Sequence, residues 1–334
     1  MKQLLSINRN FSLNFILYLK TGDIEEDGLF YIHFIIIEGG DNVNLFLQQV
    51  INGLNIGSIY ALIAIGYTMV YGIIKLINFA HGEIMMFGAY FAFIAATSFQ
   101  MPVWAILLLV MTIMAIVGVA IEFVAYRPLR NAPRLSALIT AIGVSLFLQN
   151  LALIIFKPEP KIMPKLFPEM NFNFGGIDIS STTLITIGLS LVFMVLLDLY
   201  IRKTKQGRAM RAVSEDKDAA ILMGVNVNRT VSLTFALGSA LGALGGILYS
   251  VAYIQIYPTM GVMPGLKAFI AAVLGGIGIV PGAMLGGFII GMVETLTKAY
   301  LSTTWADAIV FAILIIVLLF KPTGILGKNT REKV

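Results

Sequence analysis

Asn78, His81 and Glu83 fall within "INFAHGEIMMF" (77–87), between two long apolar runs. Ionisable residues held inside an apolar body mark pathways by default, so this trio is a candidate gate or pathway element. The simpler alternative is a short polar turn, with Asn78 capping the next helix and Glu83 near its positive end. Asn52 and Asn55 lie about one helical turn apart and could line a polar path. A third feature is "VLGGIGIVPGAM" (273–284), where Gly275, Gly276, Gly278, Pro281 and Gly282 cannot sustain a regular helix. Broken backbone at membrane depth is tolerated only beside protein or a water-filled cavity, and transporters place such breaks near substrate paths. The fourth is the polar stretch "GRAMRAVSEDKDAAILMG" (207–224). Its Ser214 is placed to cap a short helix, with Glu215, Asp216 and Asp218 in the favourable first turns. Ala219, Ala220, Leu222 and Met223 would continue it, and Gly224 would stop it. A helix this short needs partner contacts to persist; otherwise the stretch is a solvated loop with an incidental turn.

Several chemistries are excluded. The chain has no cysteine and only two histidines, His33 and His81, so thiolate catalysis and a histidine-rich metal site are not expected; no metal and no cofactor is assigned. No Ser/His/Asp, HExxH or paired-aspartate pattern is present, and no catalytic residue is assigned. There is no GxxxxGK[ST] phosphate loop, since "GKN" at 327–329 lacks the hydroxyl. The chain is therefore not expected to hydrolyse ATP.

The elements that position these residues follow from composition. Of 334 residues, 58% are hydrophobic and 12% charged, with a mean hydropathy of +0.89. Soluble domains carry about 25% charged residues, so the chain belongs to the membrane class. Nine apolar runs are candidate crossings: 45–73, 83–99, 103–126, 135–156, 181–201, 230–254, 265–279, 283–300 and 305–320. Those at 83–99 and 265–279 are short enough to be partial spans. The expected fold is an all-α polytopic membrane protein of about eight to nine transmembrane helices, some broken or short.

The net charge of +5 is modest and gathered in loops, so it signals topology and not nucleic-acid binding. Arg127, Arg130 and Arg134 mark one loop, seven Lys and Arg mark 202–229, and Lys321, Lys328, Arg331 and Lys333 mark the C-terminal tail. All three are expected to face the cytoplasm, while 157–180 and 255–264 face outward. Glu122 is read as a partner for Arg127 at the cytoplasmic edge. Lys267 is expected to snorkel outward, and Gln149 and Glu294 are further polar residues within spans. Glycines at four-residue spacing (Gly53/Gly57, Gly238/Gly242/Gly246, Gly278/Gly282/Gly286, Gly287/Gly291) fit close helix approach, within the subunit or against another.

Residues 1–43 read as an extension without a span. Glu38 to Val43 can be encoded as a ribosome-binding sequence followed by a GUG start, so translation is expected to begin at Val43. The remaining domains are the permeating body, 44–328, with its polar loop 202–229, and a short tail, 329–334.

"GRAMRAVSEDKDAAILMGVNVNR" resembles the cytoplasmic coupling segment of ABC importer permeases, with Gly207, Arg208, Arg211, Ala212, Ala219, Ala220, Leu222 and Gly224 in the expected pattern. "GSIYALIAIGYTMVYGIIKLINFAHGE", "YRPLR", "LITAIGVSLFLQN", "AAVLGGIGIVPGAMLGG" and "KPTGILG" extend the likeness over nearly all of 44–328. Together they resemble the LivH-type permease family for branched-chain amino acids. The resemblance implies a type II-like ABC importer fold in the bacterial inner membrane, with a cytoplasmic C-terminus. It also implies a second homologous permease subunit, two cytoplasmic ABC ATPases and an extracytoplasmic binding protein that delivers substrate. Permeases of this kind for urea or amides, and an ion-coupled secondary transporter, are the alternatives.

Overall fold

The computed structural model describes residues 27–130 and 132–327; the side chains within 27–42 and that of Arg134 are left undescribed. Residues 1–26, which hold most of the expected extension, and 328–334, with the tail and Lys328, Arg331 and Lys333, lie outside the described residues. The helices are α1 (Asp27–Ile74), α2 (His81–Thr97), α3 (Val103–Ile121), α4 (Arg134–Phe156), α5 (Ser181–Lys203), α6 (Lys205–Glu215), α7 (Lys217–Leu222), α8 (Val227–Tyr253), α9 (Val262–Gly275), α10 (Val280–Tyr300) and α11 (Thr303–Phe320). Short strands β1 (Lys161–Ile162), β2 (Asn171–Phe174), β3 (Ile177–Ser180) and β4 (Gln255–Ile256) lie in the loops. A smaller unit comprises Met1–Leu47 with Gly175–Ile177, and of it the backbone of 27–47 and the residues 175–177 are described. Everything below concerns the larger unit, Gln48–Phe174 with Asp178–Val334.

Each of the nine apolar runs is a helix. Seven are long and apolar enough to cross a bilayer, the first being Val43–Ile74 within α1. The two short runs are α2, of 17 residues, and α9, of 14. At 1.5 Å per residue α9 reaches roughly 21 Å, well short of a ~30 Å hydrocarbon core. α1 and α8 are mostly buried and form the centre, while α4 and α11 are the least buried of the long helices. A helix apolar on all faces is stable that way only against lipid or another protein.

Glycine seams set the helix packing. A Cβ on Gly53 would lie 2.9 Å from Met292 Sδ, and one on Gly57 would lie 2.9 Å from Phe288 Cα. Gly287 faces Ala61 and Gly291 faces Gly57, so α1 and α10 run antiparallel with almost no side-chain layer between them. On α8, Gly238 meets Gly66, Gly242 meets His81 and Gly246 meets the Met85 carbonyl. The four-residue spacing therefore serves contacts within this subunit.

The loops sort to two ends. β1 pairs antiparallel with β4, Lys161 opposite Ile256, which joins the loop after α4 to the loop after α8. At the other end the Arg130 guanidinium donates to Asn228 Oδ1 at 2.6 Å, linking the Arg-rich loop to the start of α8. Between α3 and that loop the chain widens to a π-helical turn, Glu122–Tyr126, a form common at functional sites. Glu122 is fully buried there; it ion-pairs with Arg130, accepts from Ser232 Oγ at 2.7 Å, and lies 3.7 Å from Arg127. The expected Arg127 pairing is thus the weaker part of its coordination.

Candidate functional site

His81 decides the geometry of the site. Its ring occupies the space that a Cβ on Gly66 would take, lies 3.0 Å from where one on Gly242 would sit, and meets Tyr67 edge-on at 4.6 Å between centroids. α2 therefore begins level with Gly66, eight residues before α1 ends, and residues 75–80 fold back along α1 by roughly 12 Å. The short turn is present at 75–80, but the polar residues Asn78, His81 and Glu83 are not solvated. All three are buried, at 2% exposure or less. Asn78 caps nothing; its Oδ1 accepts from Tyr126 Oη at 2.9 Å, which ties the folded-back segment to the π turn.

α9 starts at the same level. Gly82 and Gly261 approach so closely that a Cβ on either would strike the other's carbonyl oxygen or carbon, and a Cβ on Gly265 would lie 3.0 Å from Gly82 Cα. The N-termini of the two short helices therefore meet. Where they meet lies a pocket of about 230 Å³, lined by Tyr67, Phe79, Gly82 and Glu83, by Ile142, Ser145, Leu146 and Gln149 of α4, and by Gly261, Val262, Gly265 and Leu266. Of the candidate pathway residues, only Glu83 lines it. Its Oε1 accepts from Ser145 Oγ at a long 3.4 Å, and its Oε2 is buried with no partner.

The other pathway candidates lie elsewhere. Asn52 reaches only Gln49 Oε1, at 3.4 Å. Asn55 accepts from Ser58 Oγ through its carbonyl at 2.8 Å, and its Oδ1 is buried without a partner. Gly275, Gly276, Gly278, Pro281 and Gly282 form the turn between the antiparallel pair α9 and α10. Gly276 and Gly278 have φ of +111° and +92°, which side chains disfavour, and Pro281 sits in the first turn of α10, where its missing N–H costs nothing. This turn packs on Gly72 and on residues 321–327, whose Ile325 and Leu326 amides donate to Leu274 and Gly275 at 2.8 and 3.0 Å. "KPTGILG" is the cap of α9, and the break is a helix-pair turn and not a wall of the pocket. Gly282 faces the Gly275 carbonyl, so Gly282→Leu is expected to retain membrane insertion but lower the melting temperature in detergent, an overpacking cost of about 1–3 kcal/mol.

Lys267 and Glu294, outside the residues singled out as candidate sites, hold α9 in place. Lys267 is 5% exposed and does not snorkel; its Nζ lies 2.8 Å from Glu294 Oε1 and 2.7 Å from Asp307 Oδ1. Glu294 also accepts from Tyr60 Oη at 2.8 Å and Lys298 Nζ at 2.5 Å. One charged cluster thus joins α1, α9, α10 and α11. The signal available in sequence was a lysine and a glutamate inside spans, but not their pairing.

The polar stretch 207–224 is two helices, not one. α6 starts under Thr204, whose Oγ1 accepts from the Gly207 amide at 3.0 Å. Ser214 lies in its last turn and donates to the Arg211 carbonyl. The cap of α7 is Asp216, extended at φ −149°, which accepts from the Asp218 and Ala219 amides at 2.9 Å each. Two acceptors two residues apart could each cap; the extended backbone at Asp216 selects the second. Gly224, at φ +79°, closes α7 with Val225 N–H to Ala220 O and Gly224 N–H to Ile221 O, the Schellman pattern. Gly207 is buried against the Ile201 backbone, while Arg208, Arg211, Ala212, Glu215 and Ala219 are exposed. Ala220 is 4% exposed and packs with Val213, Val70, Tyr126 and Phe235 inside this chain, so it is not a docking face. Leu222 and Met223 are 88% and 83% exposed, and Ile221 is exposed beside them.

Comparison with known proteins places this geometry. The profile of the family described as branched-chain amino acid transport system / permease component matches residues 49–318. The chain is 48% identical over 302 residues to the high-affinity branched-chain amino acid transport system permease protein LivH of Escherichia coli (strain K12), covering 86% of this chain and 98% of that protein. The permease protein BraD of Pseudomonas aeruginosa, of the same described system, is 46% identical with the same coverage. The probable LivH of Methanocaldococcus jannaschii is 30% identical over 293 residues, covering 82% of this chain and 90% of its own. This multi-pass membrane protein belongs to the family of permease components of branched-chain amino acid transport systems.

Proposed function

We propose that the chain forms part of the translocation path for leucine, isoleucine and valine in an ATP-binding-cassette importer of the bacterial inner membrane. It works with a second homologous permease subunit. An extracytoplasmic binding protein delivers the substrate, and two cytoplasmic ATPase subunits hydrolyse ATP. The observation that carries the reading is the exposed apolar tip Ile221–Met223 on a helix pair whose other face is built into the body. Three adjacent apolar side chains beside a highly charged loop favour a protein partner. Behind them, Ala220 and Val213 belong to one buried cluster with Phe235 and Tyr126, and Tyr126 holds Asn78 of the folded-back segment that leads to the pocket. A push on α7 thus has a continuous packed route to the site.

In this reading the Arg-rich loop, the α6–α7 loop and the C-terminal tail face the cytoplasm. The Arg130–Asn228 hydrogen bond and the β1–β4 pairing support the sorting of loops to two sides. Reconstituted uptake by the full complex tests it. ATP- and binding-protein-dependent uptake of L-leucine, L-isoleucine and L-valine is expected, with none by the lone chain. Preferential uptake of urea or amides, or uptake by the lone chain under an ion gradient, would replace it.

A further inference from the structure

The pocket between α2, α4 and α9 combines features of opposite sign. Glu83 is 2% exposed, lines the pocket and keeps Oε2 without a partner. Among the described residues no Lys or Arg forms an ion pair with it. A buried carboxylate without a cation is costly; a proton or a positive group entering the pocket removes that cost, and the second adds to what the first turn of α2 already supplies. Beside it, Gly82 and Val262 bring in the first turns of α2 and α9, and neither helix has a side-chain cap at Ala80 or Gly261. Two helix N-termini each present roughly half a positive charge toward an anion, while the His81 and Val262 amides already donate to the Asn78 and Thr259 carbonyls and Pro264 has no N–H. The remaining walls, including Phe79, Ile142, Leu146 and Leu266, are apolar. A volume of about 230 Å³ lies below the ~300–1,000 Å³ of drug-sized sites, so the occupant is small.

Resting on the proposed function above, we infer that this pocket is a transit site for the zwitterionic head of an aliphatic α-amino acid: Glu83 binds the α-ammonium, the N-termini of α2 and α9 face the α-carboxylate, and the apolar walls take the side chain. The site selects against molecules that lack the ammonium, whatever their side chain. Gln149 and Ser145 on α4 offer further hydrogen bonds at the polar edge.

The absence of cysteine from the chain gives a direct readout. Leu146 is 53% exposed at the pocket wall, so Leu146→Cys is expected to fold, and its own leucine uptake is measured before labelling to set its baseline. In the full complex in proteoliposomes, its alkylation by N-ethylmaleimide is followed by mass, with L-leucine or with 4-methylpentanoate, which keeps the isobutyl group and carboxylate but has no ammonium. L-leucine is expected to slow labelling and 4-methylpentanoate to leave it unchanged. Adding Glu83→Gln is expected to raise the leucine concentration needed for protection by about tenfold or more, the value of a charge-assisted hydrogen bond, while Glu83→Asp retains part of the protection. Equal protection by both compounds, protection by neither in a complex that takes up leucine, or undiminished protection in the Gln variant overturns the assignment. If the Gln variant fails to assemble, the comparison of the two compounds on Leu146→Cys alone decides. A complex that takes up no branched-chain amino acid at all refutes the proposed function instead.

Discussion

Leu222→Asp is expected to leave the permease folded and inserted yet unable to hold its ATPase subunits. Leu222 is 88% exposed, so a carboxylate there disturbs nothing within the chain. At a docked interface the same change removes an apolar anchor and buries a charge. Loss of such an anchor costs about 2 kcal/mol or more, roughly 30-fold in affinity. Co-purification of the ATPases and leucine uptake are expected to fall together, with the melting temperature of the isolated permease unchanged. Ala220→Glu makes the contrasting case. Ala220 is 4% exposed, in one buried cluster with Val70, Tyr126 and Phe235, so a carboxylate there destabilises the permease itself. Lys205→Ala, at the exposed first residue of α6, is the neutral control. If Leu222→Asp still binds the ATPases and imports at the wild-type rate, α7 is not the coupling contact.

Lys267→Met is expected to be among the most destabilising single changes in the chain. It leaves Glu294, 2% exposed, with only Lys298 and Tyr60, and removes the ion-pair partner of the half-exposed Asp307. Breaking a buried ion pair from one side costs about 3 kcal/mol or more. For a chain of this size that corresponds to roughly 4 °C or more in melting temperature, read on the purified permease in detergent. The double variant Lys267→Met/Glu294→Met is expected to recover part of the loss, because a buried pair exchanged for apolar residues is often near neutral. A wild-type melting temperature for Lys267→Met would show that the cluster does not hold α9. Uptake is expected to fall with stability, since α9 carries Val262, Gly265 and Leu266 into the pocket wall.

The features legible in sequence were those fixed by local chemistry. Nine apolar runs became nine helices because length and hydropathy alone decide what can sit in a bilayer. The shortness of 83–99 and 265–279 was visible for the same reason, as were the glycine seams and the stop at Gly224. The features that were not legible depend on what lies across a gap. Ser214 and Asp216 are equally good acceptors in a list of residues; the extended backbone at Asp216 chose between them. Ala220 looks exposed in a short polar helix until it is found buried in a cluster of this chain's own side chains. Lys267 looks like a snorkelling lysine because its partners, Glu294 and Asp307, lie on other helices. Glu83 is the clearest instance. An acid in the first turn of a helix suits a solvated turn and a buried pocket equally well. The fit of His81 into the space left by Gly66 and Gly242 pulled that turn back along α1 and set the carboxylate beside the start of α9. Sequence determined which segments enter the membrane, because burial of apolar side chains is a local property. Tertiary structure decided which polar groups face one another there, because the space that a missing Cβ leaves is defined only by the helix that fills it.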